Sequence, residues 1–113
     1  MKLVYIAGQY RGITPERTEL NIQAAKHMGA LVAELGLMPV IPHTNTAGFE
    51  DYVINDQQFW LDGTMELMRR CDAVVFIQGW KMSDGARGEY KVAVDMGLPV
   101  FESIEGVFEW GEL

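Results

Sequence analysis

Cysteine and histidine are scarce in this chain. Its 113 residues include one cysteine, Cys71, and two histidines, His27 and His43. One cysteine cannot form an internal disulfide, and these three residues are too few for a zinc cluster. We therefore expect a protein of the reducing cytoplasm that uses no metal and no cofactor.

Long apolar runs and an excess of basic charge are missing as well. No apolar stretch approaches the ~20 residues that span a bilayer, and no basic, apolar leader opens the chain. The formal net charge is −7, whereas proteins that bind polynucleotides rely on clustered Lys and Arg. We expect no secretion, no membrane contact and no nucleic acid polymer as a partner. A single phosphate is different, because a few local donors can bind it.

The length and the apolar content, 49% of residues, predict one domain over residues 1–113. Four short runs rich in apolar and β-branched residues are typical of buried strands. They lie at 2–7, 37–41, 72–77 and 98–101. Pro39 removes a ladder donor, which favours the start of a strand or a sheet edge for the second run.

Helix signals fall between these runs. Thr14, Pro15 and Glu16 form an N-terminal capping pattern, and apolar residues then recur at helical spacing up to Gly36. Those residues are Leu20, Ala24, Met28, Leu31 and Leu35. A second helix is predicted from about 55 to 70, with Phe59, Met65 and Met68 inward, and a third from 85 to 96. Segments 42–48 and 78–84 are predicted to be loops.

Strands and helices that alternate in this way imply right-handed crossovers and a mainly parallel sheet with helices on both faces. Ligands of such sheets bind outside the carboxyl ends of the strands. Segments 8–14, 42–55 and 78–85 therefore become candidates for the site.

The first of these segments reads Gly8-Gln9-Tyr10-Arg11-Gly12. Because it joins a strand to a helix, its amides and the Arg11 guanidinium can converge on an anion. It matches neither the dinucleotide fingerprint nor a Walker loop. A tight turn with a solvated arginine is the alternative.

The third segment places Ser83 and Gly85 at a helix start, where free amides and the macrodipole favour an anion. Six residues after Ser83 comes Glu89, which shares a helix face with apolar Val92, Ala93 and Met96. A carboxylate on such a face needs either a partner or a function. The alternatives are a catalytic acid and an ion pair with an arginine.

Other polar and aromatic residues could complete a site. Tyr5 ends the first strand, where its phenol could orient Glu89, and His43 lies on the second candidate segment. Asp62 could reach the site from the second helix as a proton donor. Trp60 and Trp80 could each stack on a base, or else pack in the core or at its rim.

Three segments resemble those of a known family, the nucleoside 2-deoxyribosyltransferases and the related 2'-deoxynucleoside 5'-phosphate N-hydrolases. Tyr5 to Gly12 resembles the opening strand and phosphate loop of the hydrolases, and Asp72-Ala73-Val74-Val75 resembles their central strand. Ser83-x-Gly85-x-x-x-Glu89 resembles their helix start. A subgroup of short members, many from phages and bacteria, also shares Gly79-Trp80.

The resemblance implies a flavodoxin-like, Rossmann-like three-layer sandwich with a mainly parallel sheet of four to five strands. It further implies cleavage of the base–sugar bond in a small nucleotide or nucleoside, by a homodimer or higher homo-oligomer. Glu89 takes the position of the nucleophile and Tyr5 that of its orienting partner. The resemblance and the candidate loops together predict the substrate-binding positions. These are Gly8, Tyr10, Arg11, Gly12, His43, Trp80, Ser83 and Gly85.

The chain also departs from the family. The hydrolases carry an aspartate where this chain has Thr64, which leaves Asp62 as the candidate acid for the departing base. Ser83 replaces an aspartate of the transferases, and this favours a phosphorylated substrate. The main hypothesis is hydrolysis; the alternatives are transfer of deoxyribose between bases and a nucleotide-binding protein without catalysis.

Overall fold

The computed structural model describes residues 1–49, 52 and 56–112. The strands are β1 (Leu3–Ala7), β2 (Met38–Val40), β3 (Ala73–Phe76) and β4 (Val100–Phe101). The helices are α1 (Pro15–Glu34), the single turn α2 (Pro42–Asn45), α3 (Gln57–Arg69), α4 (Asp84–Asp95) and α5 (Ile104–Gly111). Across the described ranges, no helix combines the length and the apolar character needed to cross a membrane.

Within the described part of the chain, the four strands form one parallel sheet in the order β2-β1-β3-β4. β1 and β3 are central, with Tyr5 opposite Val74 and Ala7 opposite Phe76. β2 lies at an edge, where Pro39 needs no ladder partner on its outer side. The predicted parallel α/β fold is confirmed.

The sheet is buried on both faces because successive side chains of a strand point to opposite sides. On β1, Val4 and Ile6 join Ala25 and Val32 of α1 in one core layer. Tyr5 and Ala7 pack in the other layer, with Met68 of α3 and Ala86 and Ala93 of α4. Apolar side chains therefore fill both sides of the central strands, as their sequence predicted.

Helix α1 begins as predicted, but the predicted stripe faces the core only in part: Met28 and Leu35 pack against the core, whereas Leu20 and Ala24 are exposed. The Thr14 side chain accepts from the amide of Arg17, and Pro15 stands at the first position. Leu20 is 59% exposed, whereas Gly29 is buried. A Cβ at Gly29 would come within 2.5 Å of Ile41 Cδ1. Close approach to the end of β2 turns the Gly29 side of the helix inward, away from Leu20.

Several local predictions were wrong or incomplete. Pro42 starts the helical turn α2 inside the predicted loop 42–48, and a 3₁₀ turn, Trp80–Met82, interrupts the predicted loop 78–84. Helix α3 begins at Gln57 with Asp56 as its cap, and the predicted start at Asn55 lies outside the described residues. Met68 is buried as predicted, but Phe59 is 53% exposed.

The C-terminal helix α5 covers the α1 side of the sheet. Val107 is fully buried in that layer. The Trp110 ring packs against Phe101, and Lys2 Nζ lies 4.5 Å from its centroid. These contacts make Val107 and Trp110 part of the core covering, while Phe108 stays half exposed.

Two isoleucines allow a matched test of this core. Ile6→Ala removes a fully buried side chain, whereas Ile13→Ala changes one that is 99% exposed. We expect Ile6→Ala to lower the free energy of unfolding by about 2–5 kcal/mol because it leaves a cavity. Ile13→Ala should change it by less than about 0.5 kcal/mol. Urea denaturation measures both, and equal effects would contradict the layer assignment.

Candidate active site

A cavity of about 510 Å³ opens at the carboxyl ends of the central strands β1 and β3. The segment after β1 contributes Gly8, Tyr10 and Arg11, and the start of α4 contributes Ser83 and Gly85. Helix α2 contributes Pro42 and His43, and α3 forms the remaining wall. The predicted candidate segments 8–14, 42–55 and 78–85 all contribute to this one cavity.

Glu89 and Tyr5 meet in this cavity. The Tyr5 hydroxyl donates a short hydrogen bond to Glu89 Oε2, joining β1 to α4. Tyr5 is fully buried, and Glu89 is partly buried. Because the phenol is fixed by the sheet, it restricts the orientation of the carboxylate. Among the described residues Glu89 forms no ion pair with an arginine, which was the alternative to a catalytic role; its partner is Tyr5 of β1.

The surroundings make ionisation of Glu89 unfavourable. Burial raises the pKa of Glu89 to about 7 from its ordinary 4.5, and the hydrogen bond from Tyr5 opposes this shift. The pKa of Tyr5 is raised well above its usual range, first by burial and then by the charge of Glu89. The carboxyl group therefore changes its charge near neutral pH, where acid–base and nucleophilic groups of enzymes often titrate.

Helix α4 begins with the predicted cap. Ser83 Oγ accepts from the Ala86 amide at 3.2 Å, which leaves the serine proton available to donate. Arg87, an arginine on the same helix as Glu89, donates to Asp84 and to the Lys81 carbonyl. The helix start thus presents a hydroxyl and backbone amides at the cavity, where the macrodipole favours an anion.

The first loop only partly matches its prediction. Gly8, Tyr10 and Arg11 line the cavity, whereas Gly12 is not part of the lining. The Gly12 amide donates to Thr18 Oγ1 at 2.9 Å. A Cβ at Gly12 would lie 2.2 Å from Arg17 Cβ. Gly12 is therefore needed for close packing on the start of α1, and its amide already has an acceptor.

His43 links α2 to the first loop. Its side chain is 4% exposed, and its Nε2 lies 2.9 Å from the Gln9 carbonyl, to which it donates. Burial lowers its pKa, while the carbonyls of Gln9 and Gly8 oppose that shift. The Tyr10 ring packs on the imidazole in a T-shaped arrangement, with 5.7 Å between ring centroids. A neutral His43 thus anchors the loop that carries Arg11.

Two predicted site residues lie elsewhere. Asp62 is exposed on α3, accepts from Gln58 Nε2 at 2.8 Å and does not line the cavity. Trp80 is buried because the 3₁₀ turn directs its ring into the core, where it stacks on Tyr90 with 4.7 Å between centroids. Its Nε1 donates to Glu102. Neither residue faces a ligand in the cavity.

The α3 wall was largely missed by sequence analysis. It consists of Gln57, Trp60, Leu61, Thr64 and Met65. Their spacing along the chain follows one helical face, which was a detectable signal. Among the described residues, no three acidic, His or Cys side chains are close enough together to hold a metal ion.

Comparisons with known proteins place the chain among α/β proteins. A family model described as a domain of unknown function (DUF7768) matches residues 2–103. No curated protein matches the chain significantly.

Two solved structures share the fold. A conserved protein from Enterococcus faecalis V583 is 20% identical with a TM-score of 0.66, and the match covers 88% of this chain and 61% of that one. This chain thus spans less than two thirds of that protein. A 2-deoxyribosyltransferase from Bacillus psychrosaccharolyticus is 17% identical with a TM-score of 0.66 and coverages of 94% and 90%. At these identities the likeness concerns the fold, which agrees with the predicted fold class.

The raised pKa of Glu89 predicts a pH-dependent effect on stability. Ionisation costs more in the folded state than in the unfolded state, so the wild type should lose stability as the pH rises from about 4.5 to about 7. Glu89→Gln should therefore unfold with a free energy about 2 kcal/mol higher than the wild type at pH 8, and nearly equal to it at pH 4.5. Urea denaturation at both pH values measures this difference.

The matched control is Glu109→Gln, which alters an exposed glutamate of α5. The free energy of unfolding of Glu109→Gln should differ from that of the wild type by the same amount at both pH values. The same pH-independent result for Glu89→Gln would contradict the burial of an ionisable carboxyl group at this position.

Proposed function

The chain belongs to the DUF7768 family of domains, and we propose that it is an N-glycosidase that hydrolyses the base–sugar bond of a nucleoside 5'-monophosphate. The main support is the buried contact between Tyr5 and Glu89 inside the cavity. A carboxylate held by a phenol within a cavity of this size suits attack on a sugar carbon. The cavity volume is within the range of small-molecule sites.

In this mechanism Glu89 is the nucleophile. Its carboxylate attacks C1', the C1'–N bond breaks through an oxocarbenium-like state, and the bonding electrons leave with the base. Water then hydrolyses the glycosyl ester, giving the sugar 5'-phosphate and regenerating Glu89. Tyr5 keeps one carboxylate oxygen oriented while the other attacks.

The phosphate is assigned to the polar end of the cavity. Arg11 supplies a guanidinium from the first loop, and Ser83 and the amides at the start of α4 supply further donors. Fixing the phosphate positions C1' over Glu89, a contribution that can amount to several kcal/mol of barrier. The overall charge of −7 is compatible with this site because the donors act locally.

Transfer of a deoxyribosyl group is the second candidate. It is favoured by the shared fold with the Bacillus psychrosaccharolyticus 2-deoxyribosyltransferase. Transfer uses the same glycosyl-enzyme, with a second base in place of water. Incubation of a deoxynucleoside with a different free base separates the two reactions, because only transfer yields the exchanged nucleoside. A homodimer and a cytoplasmic location remain predictions.

The central test is base release from nucleoside monophosphates, followed by chromatography. We expect the wild type to release base at a rate that rises with pH through about 7, because Glu89 must be ionised to attack. Glu89→Gln should lose at least about 1,000-fold in turnover, in line with loss of a covalent nucleophile. It should still bind the nucleotide in calorimetry.

Glu109→Gln serves as the control and should retain full activity. Unchanged turnover in Glu89→Gln would remove Glu89 from the mechanism. Tight nucleotide binding without base release by the wild type would instead favour a binding protein.

The assignment of the phosphate can be tested separately. Arg11→Ala should raise KM for a nucleoside monophosphate about 10-fold or more, because a charge-assisted contact is lost, and leave KM for the free nucleoside unchanged. Arg17→Ala is the matched control, since Arg17 is exposed on α1 and does not line the cavity. Equal effects on phosphorylated and free substrates would contradict the assignment.

A further inference from the structure

We propose that the preferred substrates are N-glycosides whose base carries a positive charge, such as a pyridinium or an N7-alkylated purine nucleotide. This inference rests on the proposed glycosidase function and adds to it the chemical class of the leaving group. It follows from the residues that line the α3 side of the cavity.

The α3 wall lies next to the reacting carboxylate. Thr64 lines the cavity together with Tyr5 and acts to lower the pKa of Tyr5, whose hydroxyl in turn holds Glu89. Arg11 and Ser83 occupy the first loop and the α4 start, so a phosphate there leaves the base to face α3. A base leaving C1' therefore passes Thr64 and its neighbours.

Uncharged side chains form this wall. Gln57, Trp60, Leu61, Thr64 and Met65 offer an amide, an indole, a hydroxyl and apolar groups. The Thr64 hydroxyl also has a backbone acceptor, the Leu61 carbonyl at 3.1 Å. An aliphatic hydroxyl or an amide is far too weak an acid to protonate a departing base at neutral pH.

The described lining contains three carboxyl or imidazole side chains, Asp84, His43 and Glu89, and each has another role. Asp84 is 96% exposed and paired with Arg87. The Nε2 proton of His43 is donated to the Gln9 carbonyl. Glu89 must be ionised to attack. None of these three groups is available to protonate the departing base, so within the described lining we infer water as the proton donor.

A cationic base needs no proton. When Glu89 attacks C1' of such a glycoside, the electron pair of the C1'–N bond neutralises the positive ring, which departs as a stable neutral molecule. Water then hydrolyses the glycosyl ester and one proton is released to solvent. By contrast, a neutral base departs as an anion unless an acid protonates it, a contribution of typically 100- to 10,000-fold in rate.

The aromatic residue of the wall also suits a cation. The Trp60 indole is held by edge contacts with Phe49 and Phe59, with 6.3 and 5.0 Å between centroids. Tryptophan is the best of the aromatic side chains at binding cations through its ring face. The net charge of −7 further favours a positive base over a neutral one.

The test compares substrates that differ by one methyl group and one charge. Guanosine 5'-monophosphate is set against its 7-methyl derivative, in both ribo and 2'-deoxyribo forms, and nicotinamide mononucleotide is added as a second cationic glycoside. Base release is followed by chromatography at pH 7.5. Glu89→Gln measures the spontaneous loss of the labile bases, which is subtracted. We expect kcat/KM to be about 100-fold or more higher for the cationic members.

Thr64→Asp and Thr64→Asn provide a matched pair, because only the first adds a carboxyl group beside the departing base. Thr64→Asp should raise turnover of the neutral nucleotide at least about 10-fold, and Thr64→Asn should not. The ratio of kcat/KM between the 7-methyl nucleotide and the neutral nucleotide should fall at least about 10-fold in Thr64→Asp relative to Thr64→Asn, because only the neutral base gains from a proton donor.

The outcomes separate this inference from the proposed function. Release of neutral bases as fast as cationic ones, abolished in Glu89→Gln, would overturn the inference and leave the glycosidase proposal intact. Base release from neutral nucleotides but from none of the cationic ones would also overturn the inference and leave the glycosidase proposal intact. No base release from any nucleotide, neutral or cationic, would overturn both.

Discussion

The hydrogen bond between Tyr5 and Glu89 is the constraint around which the site is organised. It connects the central strand β1 to α4 through a fully buried phenol, so the carboxylate is held by a central strand of the sheet. The burial that fixes Tyr5 also desolvates Glu89 and moves the pKa of that carboxyl group to about 7. Burial of the Tyr5–Glu89 pair thus determines both the position and the charge state of Glu89.

The surrounding loops depend on the same sheet edge. His43 ties α2 to the first loop through the Gln9 carbonyl, and Ser83 caps α4 beside Glu89. Because both contacts use buried or capping groups, the donors that face the cavity are pre-positioned and need little rearrangement to meet an anion. The α3 wall, by contrast, supplies shape and an aromatic surface, with no charge among Gln57, Trp60, Leu61, Thr64 and Met65.

Sequence analysis predicted the positions of the helices and strands more accurately than it predicted which side of each helix is buried. Alternating strands and helices predicted the parallel sheet, and the capping patterns at Thr14 and Ser83 predicted two helix starts. The predicted inward face of α1 was only partly right, because a close approach at Gly29, which no local pattern reveals, determines how that helix packs on the end of β2. Asp62 and Trp80 were misplaced for a similar reason, since a rotation of about one residue on a helix or turn moves a side chain between cavity, core and solvent.

The sequence by itself determined the strands, the caps and the inward position of Glu89, because periodicity and local hydrogen bonding depend on neighbours along the chain. The pairing of Tyr5 with Glu89 was predicted, but only the tertiary structure brings these two side chains, 84 residues apart, into contact. It likewise decided that Gly12 serves packing and that α3 presents Trp60 and Thr64 to the cavity. Those outcomes depend on how helices rotate and pack against the sheet, which is set by contacts between residues distant in sequence.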